Sequence, residues 1–205
     1  MIKYPNLFSG VGIVKVYHGT TLSHAIDICD NGIDLSKSNV HLDFGRGFYV
    51  TPDIEMAKNM AFRVSARERQ VKNVFPAVLC FEYTQNLELN YKKFEYENIE
   101  WAKFILANRV SDKIAKELGL LDSNIDFRYD IIIGGTADGV VANIASDLRY
   151  GKINPQNYNL KLADFLKEDG SSYGTQIVFC TEKSLSCIEY IKCDIIMKRG
   201  DNHEK

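Results

Sequence analysis

The stretch "LDFGRGFYVTPDIEMAKNMA", Leu42 to Ala61, decides how the chain is read: two glycines flank an arginine, an aromatic pair follows, and then a helix. Such a glycine bracket suggests a phosphate loop, but the dinucleotide fingerprint G-x-G-x-x-G has to follow a strand and open a helix. Gly45 and Gly47 lead instead into Phe48, Tyr49, Val50 and Thr51, a run with strand propensity. The helix is expected only afterwards, with Thr51 as its N-cap and Pro52 at its first position. The glycines are therefore expected to let the backbone turn tightly and approach a ligand, placing the Tyr49 ring at the mouth of a cleft.

Around this stretch, strand and helix patterns interleave without strict alternation. "GIVKVYHGT" (12–20) reads as a strand, and Thr21 as the cap of a helix with Leu22, Ala25, Ile26 and Cys29 on one face, stopped by Gly32. Further strands are expected at "FPAVLCFEY" (75–83), "YDIIIGG" (129–135), "TQIVFC" (175–180) and "EYIKCDII" (189–196). Helices are expected at "NIEWAKFILANR" (98–109), "VVANIASDLRY" (140–150) and "NLKLADFLKED" (159–169), with a short one before the last strand. No linker rich in proline, glycine or serine divides the chain. Residues 1–205 read as a single α+β domain.

Composition narrows the function classes. A chain of 205 residues, 45% hydrophobic and 25% charged, suits one soluble domain with a sizeable core. A net charge of −2 argues against a surface built wholly to hold nucleic acid and leaves room for a local basic patch. The five cysteines form no C-x-x-C pair and fit reduced thiols in a cytoplasmic protein. The N-terminal residues "MIKYPNLFSG" lack the apolar core of a signal peptide, and no stretch reaches membrane-spanning length, so no membrane association is expected. His18, His24, His41 and His203 have no helical or finger spacing, so no metal site is expected.

Three polar positions stand where chemistry tends to sit. They are His18, before Gly19 and Thr20 at the close of the first strand; Tyr49; and Gln176, which opens an otherwise apolar strand. Singly, each has an ordinary structural reading: a satisfied histidine, a core tyrosine, a solvating amide at a strand edge. In combination, His18-Gly19-Thr20, Gly45-Arg46-Gly47-Phe48-Tyr49 and Gln176 resemble the ADP-ribosyltransferase superfamily, on the side that includes diphtheria toxin and the poly(ADP-ribose) polymerases. More narrowly, "YHGT", "LDFGRGFYVT", "WAKFILANR", "YDIIIG" and "TQIVFCTEKSL" resemble the bacterial group known as domain-of-unknown-function family 3990, over residues from about 14 to 191. That group usually has proline where Gly135 stands.

The resemblance implies two splayed antiparallel sheets around a cleft that holds NAD+, with helices outside. It implies a catalytic set of His18, Tyr49 and Gln176, with Gly19, Thr20, Gly45, Gly47, Phe48, Asn108 and Arg109 around the NAD. In this reading His18 hydrogen-bonds the adenosine-side ribose, backbone near Gly19 holds the nicotinamide amide, and Tyr49 stacks on the cationic ring. Glutamate is the commoner third residue in the superfamily. Gln176 can keep a hydrogen bond to the ribose but brings no charge and cannot act as a base. A single ADP-ribose is therefore expected to be transferred, with no polymer.

Other positions stay open at this level. Asn108 and Arg109 read equally as cleft contacts or as a solvated helix end. Asp138, in "GGTADG", reads as a base, a ligand contact or an ordinary turn residue. Arg63, Arg67 and Arg69 read as a solvated helix face or as a basic lip for an anionic acceptor: RNA, DNA or an acidic protein. The expected function is mono-ADP-ribosyl transfer from NAD+, and small bacterial transferases of this kind resemble toxins of toxin-antitoxin or phage-defence systems, which implies an antitoxin partner. The alternatives are an NAD glycohydrolase and a non-catalytic NAD or ADP-ribose binding module.

Overall fold

The computed structural model describes residues 12–68, 74–120, 122–137, 139–154, 157, 162 and 174–196. One sheet has three strands in the order β1 (Val14–Thr21), β3 (Pro76–Tyr83), β7 (Ile188–Ile195). The other has four, in the order β2 (Phe48–Val50), β6 (Thr175–Phe179), β5 (Ile131–Gly135), β4 (Tyr91–Lys93). The sheets meet where Tyr17 and Thr51 exchange backbone hydrogen bonds of 2.8 and 2.9 Å.

Side-chain alternation along the strands builds the layers. Val16, Leu79, Phe81 and Tyr83 of the first sheet pack against Phe48, Val50, Ile131, Ile133, Ile177 and Phe179 of the second. Ile132 and Val178 point the other way, onto α3 (Ile99–Arg109) and α5 (Val140–Arg149). On the outer face of the first sheet, Val78 packs against Ala57 and Ala61 of α2 (Ile54–Arg67). The order of layers is helix, sheet, sheet, helices.

Several expectations need correction. The second sheet is not wholly antiparallel, because β4, which the sequence did not announce, pairs with β5 in parallel. The return between them runs through α3 and α4 (Asp112–Glu117), the long crossover that a parallel pair requires. Helix α1 (Leu22–Asn31) buries Ala25 and packs Leu22 and Ile28, whereas Ile26 and Cys29 are exposed. Thr21 makes no capping hydrogen bond to α1, although Gly32 does close it. Helix α2 starts two residues later than expected: Asp53 is its N-cap and accepts from the amides of Glu55 and Met56. Thr51 is held extended by its bridge to Tyr17, as a residue before proline prefers, and Pro52 stays outside the helix. Helix α3 is buried on most sides. The pattern at 159–169 lies almost wholly outside the described residues.

Candidate functional site

A cleft of about 640 Å³ opens where the two sheets diverge, floored by β1 and β2 and walled by α1, α2 and the chain before β2. That volume falls within the roughly 300–1,000 Å³ of small-molecule sites. His18, Tyr49 and Gln176, from three strands of two sheets, all line it. Gly19, Thr20, Gly47, Phe48, Arg63, Arg67 and Arg109 line it too.

His18 sits inside β1, opposite Leu79, and not at its end. Its ring packs on Phe48, centroid to centroid 4.5 Å, and its Nδ1 lies 2.7 Å from the Tyr49 carbonyl oxygen. A carbonyl only accepts, so Nδ1 carries the proton and Nε2 is left as an acceptor. Burial lowers the imidazole pKa, which favours this neutral tautomer.

Tyr49 is tied back onto its own loop. Its hydroxyl donates to the Gly45 carbonyl at 2.6 Å and accepts from the Phe44 amide at 3.1 Å. Burial, followed by the nearby Asp43 carboxylate, raises the phenol well above its ordinary pKa, so it stays a neutral hydroxyl. The ring is thereby held in one orientation.

The glycines acquire separate tasks. Gly45 closes a turn with its amide on the Leu42 carbonyl at 3.1 Å and takes φ +79°, a left-handed conformation natural to glycine. Gly47 faces β6, where an added Cβ would lie 2.5 Å from Val178 Cγ1 and 2.8 Å from the Phe179 carbonyl oxygen. Close packing of the loop on the sheet therefore requires a glycine at 47, in addition to its place in the cleft lining.

Gln176 is 6% exposed, and its amide nitrogen donates to Asp43 Oδ2 at 2.9 Å and to the Gly135 carbonyl at 3.0 Å. Asp43, 4% exposed, also accepts from the Ala137 amide at 2.9 Å and pairs as an ion with Arg109. Arg109 thus belongs to the cleft wall and not to a solvated helix end. The sequence reading missed Asp43. The signal was a carboxylate between apolar Leu42 and Phe44, a place where burial would demand partners.

Gly45 and Asn108 stand behind the cleft, outside its lining. Asn108 is buried, donates to the Phe104 carbonyl at 2.8 Å and accepts from the Asn124 amide at 3.1 Å, which makes it a brace for α3. Phe48 is mostly core, edge-on to Phe81 at 5.5 Å. Asp138 and Arg69 lie outside the described residues. Among the described residues, no three His, Cys, Asp or Glu side chains gather as a metal site, and no helix is long and apolar enough to cross a membrane.

No curated protein and no solved structure matches the chain. The model of the family described as "Protein of unknown function (DUF3990)" matches residues 14–190, most of the chain, and the chain belongs to that family.

Proposed function

We propose that the protein is a mono-ADP-ribosyltransferase that moves ADP-ribose from NAD+ to a macromolecular acceptor. The observation that carries this reading is the convergence of His18, Tyr49 and Gln176, far apart in sequence, on one cleft of suitable size. Each presents the group that the chemistry asks for.

Transfer breaks the bond between the ribose anomeric carbon and the nicotinamide nitrogen. The bonding pair leaves with nicotinamide and neutralises its ring, positive charge builds on the ribose, the acceptor's nucleophilic atom bonds to the anomeric carbon, and its proton passes to solvent water. The Tyr49 ring holds the cationic nicotinamide face to face. His18 Nε2 accepts a ribose hydroxyl, and Gln176, with both amide protons engaged in the wall, offers Oε1 to the other ribose. The neutral amide and neutral histidine position the sugar without acting as bases, which fits one transfer per site. Arg63 and Arg67, exposed on α2 and lining the same cleft, favour an anionic acceptor: a nucleic acid or an acidic protein. An activity of this kind inside a bacterial cytoplasm fits a toxin or phage-defence effector held in check by an antitoxin protein.

The test is incubation of the purified protein with NAD+ and host lysate, with nicotinamide quantified and protein and nucleic-acid fractions searched for added ADP-ribose. Nicotinamide release with an adduct in one fraction supports transfer and identifies the acceptor class. Release without an adduct makes the protein a glycohydrolase. Binding of NAD+ without release makes it a binding module.

A further inference from the structure

We propose that Asp43 is a positioning residue for the reaction: it supplies, through Gln176, the negative field that a glutamate would have brought to the cleft. The inference rests on the NAD-cleaving reading above.

Three facts carry it. Both protons of the Gln176 amide are consumed by acceptors, Asp43 Oδ2 and the Gly135 carbonyl, so the orientation of the amide is fixed and Oε1 is the atom left for a ligand. Donation to a carboxylate and a carbonyl polarises the amide and makes Oε1 a stronger acceptor. The Asp43 carboxylate stands directly behind, with Arg109 on its far oxygen, so the negative end of the ion pair faces Gln176. Ala137 fixes the carboxylate from the loop after β5.

The same geometry says why the third residue is not glutamate. A carboxylate at 176 would face Asp43 and the Gly135 carbonyl at hydrogen-bond distance, where two ionised carboxylates cannot coexist without a shared proton. The charged and titratable groups that interact with Asp43 are Arg109 and Tyr49. Tyr49 is neutral, so Arg109 alone could not hold two carboxylates ionised.

The test compares the parent with D43N, Q176E and D43N/Q176E, after thermal melts establish that each is folded. Equilibrium binding of NAD+ and the kcat for nicotinamide release are measured across pH. D43N is expected to bind NAD+ within about twofold of the parent and to lose roughly ten- to hundredfold in kcat, the range for groups that orient a ligating residue. Q176E should gain an ionisation in its pH–rate profile that the parent lacks, and D43N/Q176E should lose it again. The double variant also restores a donor opposite the acceptor at 176, so it should regain kcat over D43N. Should D43N fail to fold, the pH dependence of the Q176E melting temperature reads the shared proton instead. Unchanged kcat in folded D43N overturns the role of Asp43 while leaving the NAD reading intact, as does a Q176E profile identical to the parent's. A parent that releases no nicotinamide overturns both.

Discussion

Replacing Gly19 by alanine tests the packing on which the cleft depends. Gly19 sits on β1 next to His18, and its missing side chain would point into α2. A Cβ there would lie 1.9 Å from the Ala57 carbonyl oxygen and 2.9 Å from both Ala57 C and Ala61 N. Ordinary contact starts at 3.4 Å, so helix and strand must separate by about 1.5 Å at that point. The obstructing atoms are backbone, so no rotamer change relieves them. Overpacking costs about 1–3 kcal/mol, and this overlap belongs at about 3. The loss of unfolded-state freedom on adding Cβ returns only about 0.4–1 kcal/mol. A net loss of roughly 2 kcal/mol lowers the melting temperature of a domain this size by about 4–8 °C. Thermal unfolding of G19A followed by circular dichroism measures it, with G12A as the control, since an added Cβ at Gly12 meets nothing within 4 Å. A G19A protein that melts with the parent would refute the reasoning, because β1 and α2 could then not be in backbone contact beside His18.

Three further outcomes are expected. Tyr49→Phe keeps the aromatic ring but removes the hydroxyl that ties Phe44 and Gly45, and should lose about 1–2 kcal/mol in denaturant unfolding while keeping part of the nicotinamide release that Tyr49→Ala is expected to abolish under the proposed function. His18 has a folded-state pKa below its unfolded value of 6.5, so as the pH drops below that value the unfolded chain takes up a proton that the folded one resists. Stability should therefore fall toward acid at up to about 1.4 kcal/mol per pH unit, and an unchanged slope in His18→Gln would remove this assignment. Arg109→Ala leaves the Asp43 carboxylate buried without its counter-ion and should cost about 3 kcal/mol, the lower end for such pairs because Arg109 is partly exposed. Stability of that variant equal to the parent's would show that solvent or another cation serves Asp43.

What could be read from the sequence was what periodicity and glycine placement encode locally. Six of the seven strands were legible, the central ones because runs such as "QIVFC" and "DIIIG" are apolar on both faces, as strands between two cores must be, whereas the two-sheet arrangement was implied only by the family resemblance. Strand β4 was not, since three residues containing two lysines carry no pattern, and its place is set by α3 and α4 carrying the chain across the sheet. The face of α1 was misjudged for a related reason: Ile26 and Ile28 are equally apolar, and only the position of β3 beneath the helix decides which is covered. His18, Tyr49 and Gln176 were found through a resemblance in residue order. Asp43 was not, because pairing a carboxylate with an amide 133 positions away is a tertiary fact.

The order of residues in Leu42–Thr51 follows from these contacts taken together. Asp43 has to come first, because it must reach across to Gln176 and Ala137 on the far side of the second sheet's end. Phe44 then enters the core beside Phe94, 5.8 Å between ring centroids, and Gly45 reverses the chain behind it. Gly47 lets the returning chain lie flat on β6, and only then can Phe48 meet His18 while Tyr49, on the opposite face, reaches back to the Gly45 carbonyl. The tyrosine hydroxyl closes the loop that the aspartate opens. A shift of one residue in β2 would exchange the faces of Phe48 and Tyr49, breaking both the His18 contact and the hydroxyl tie. The spacing from Asp43 to Tyr49 is therefore a single mechanical unit that carries three of the cleft's side chains, those of Asp43, Phe48 and Tyr49, and an insertion inside it should disable the site even where the fold survives.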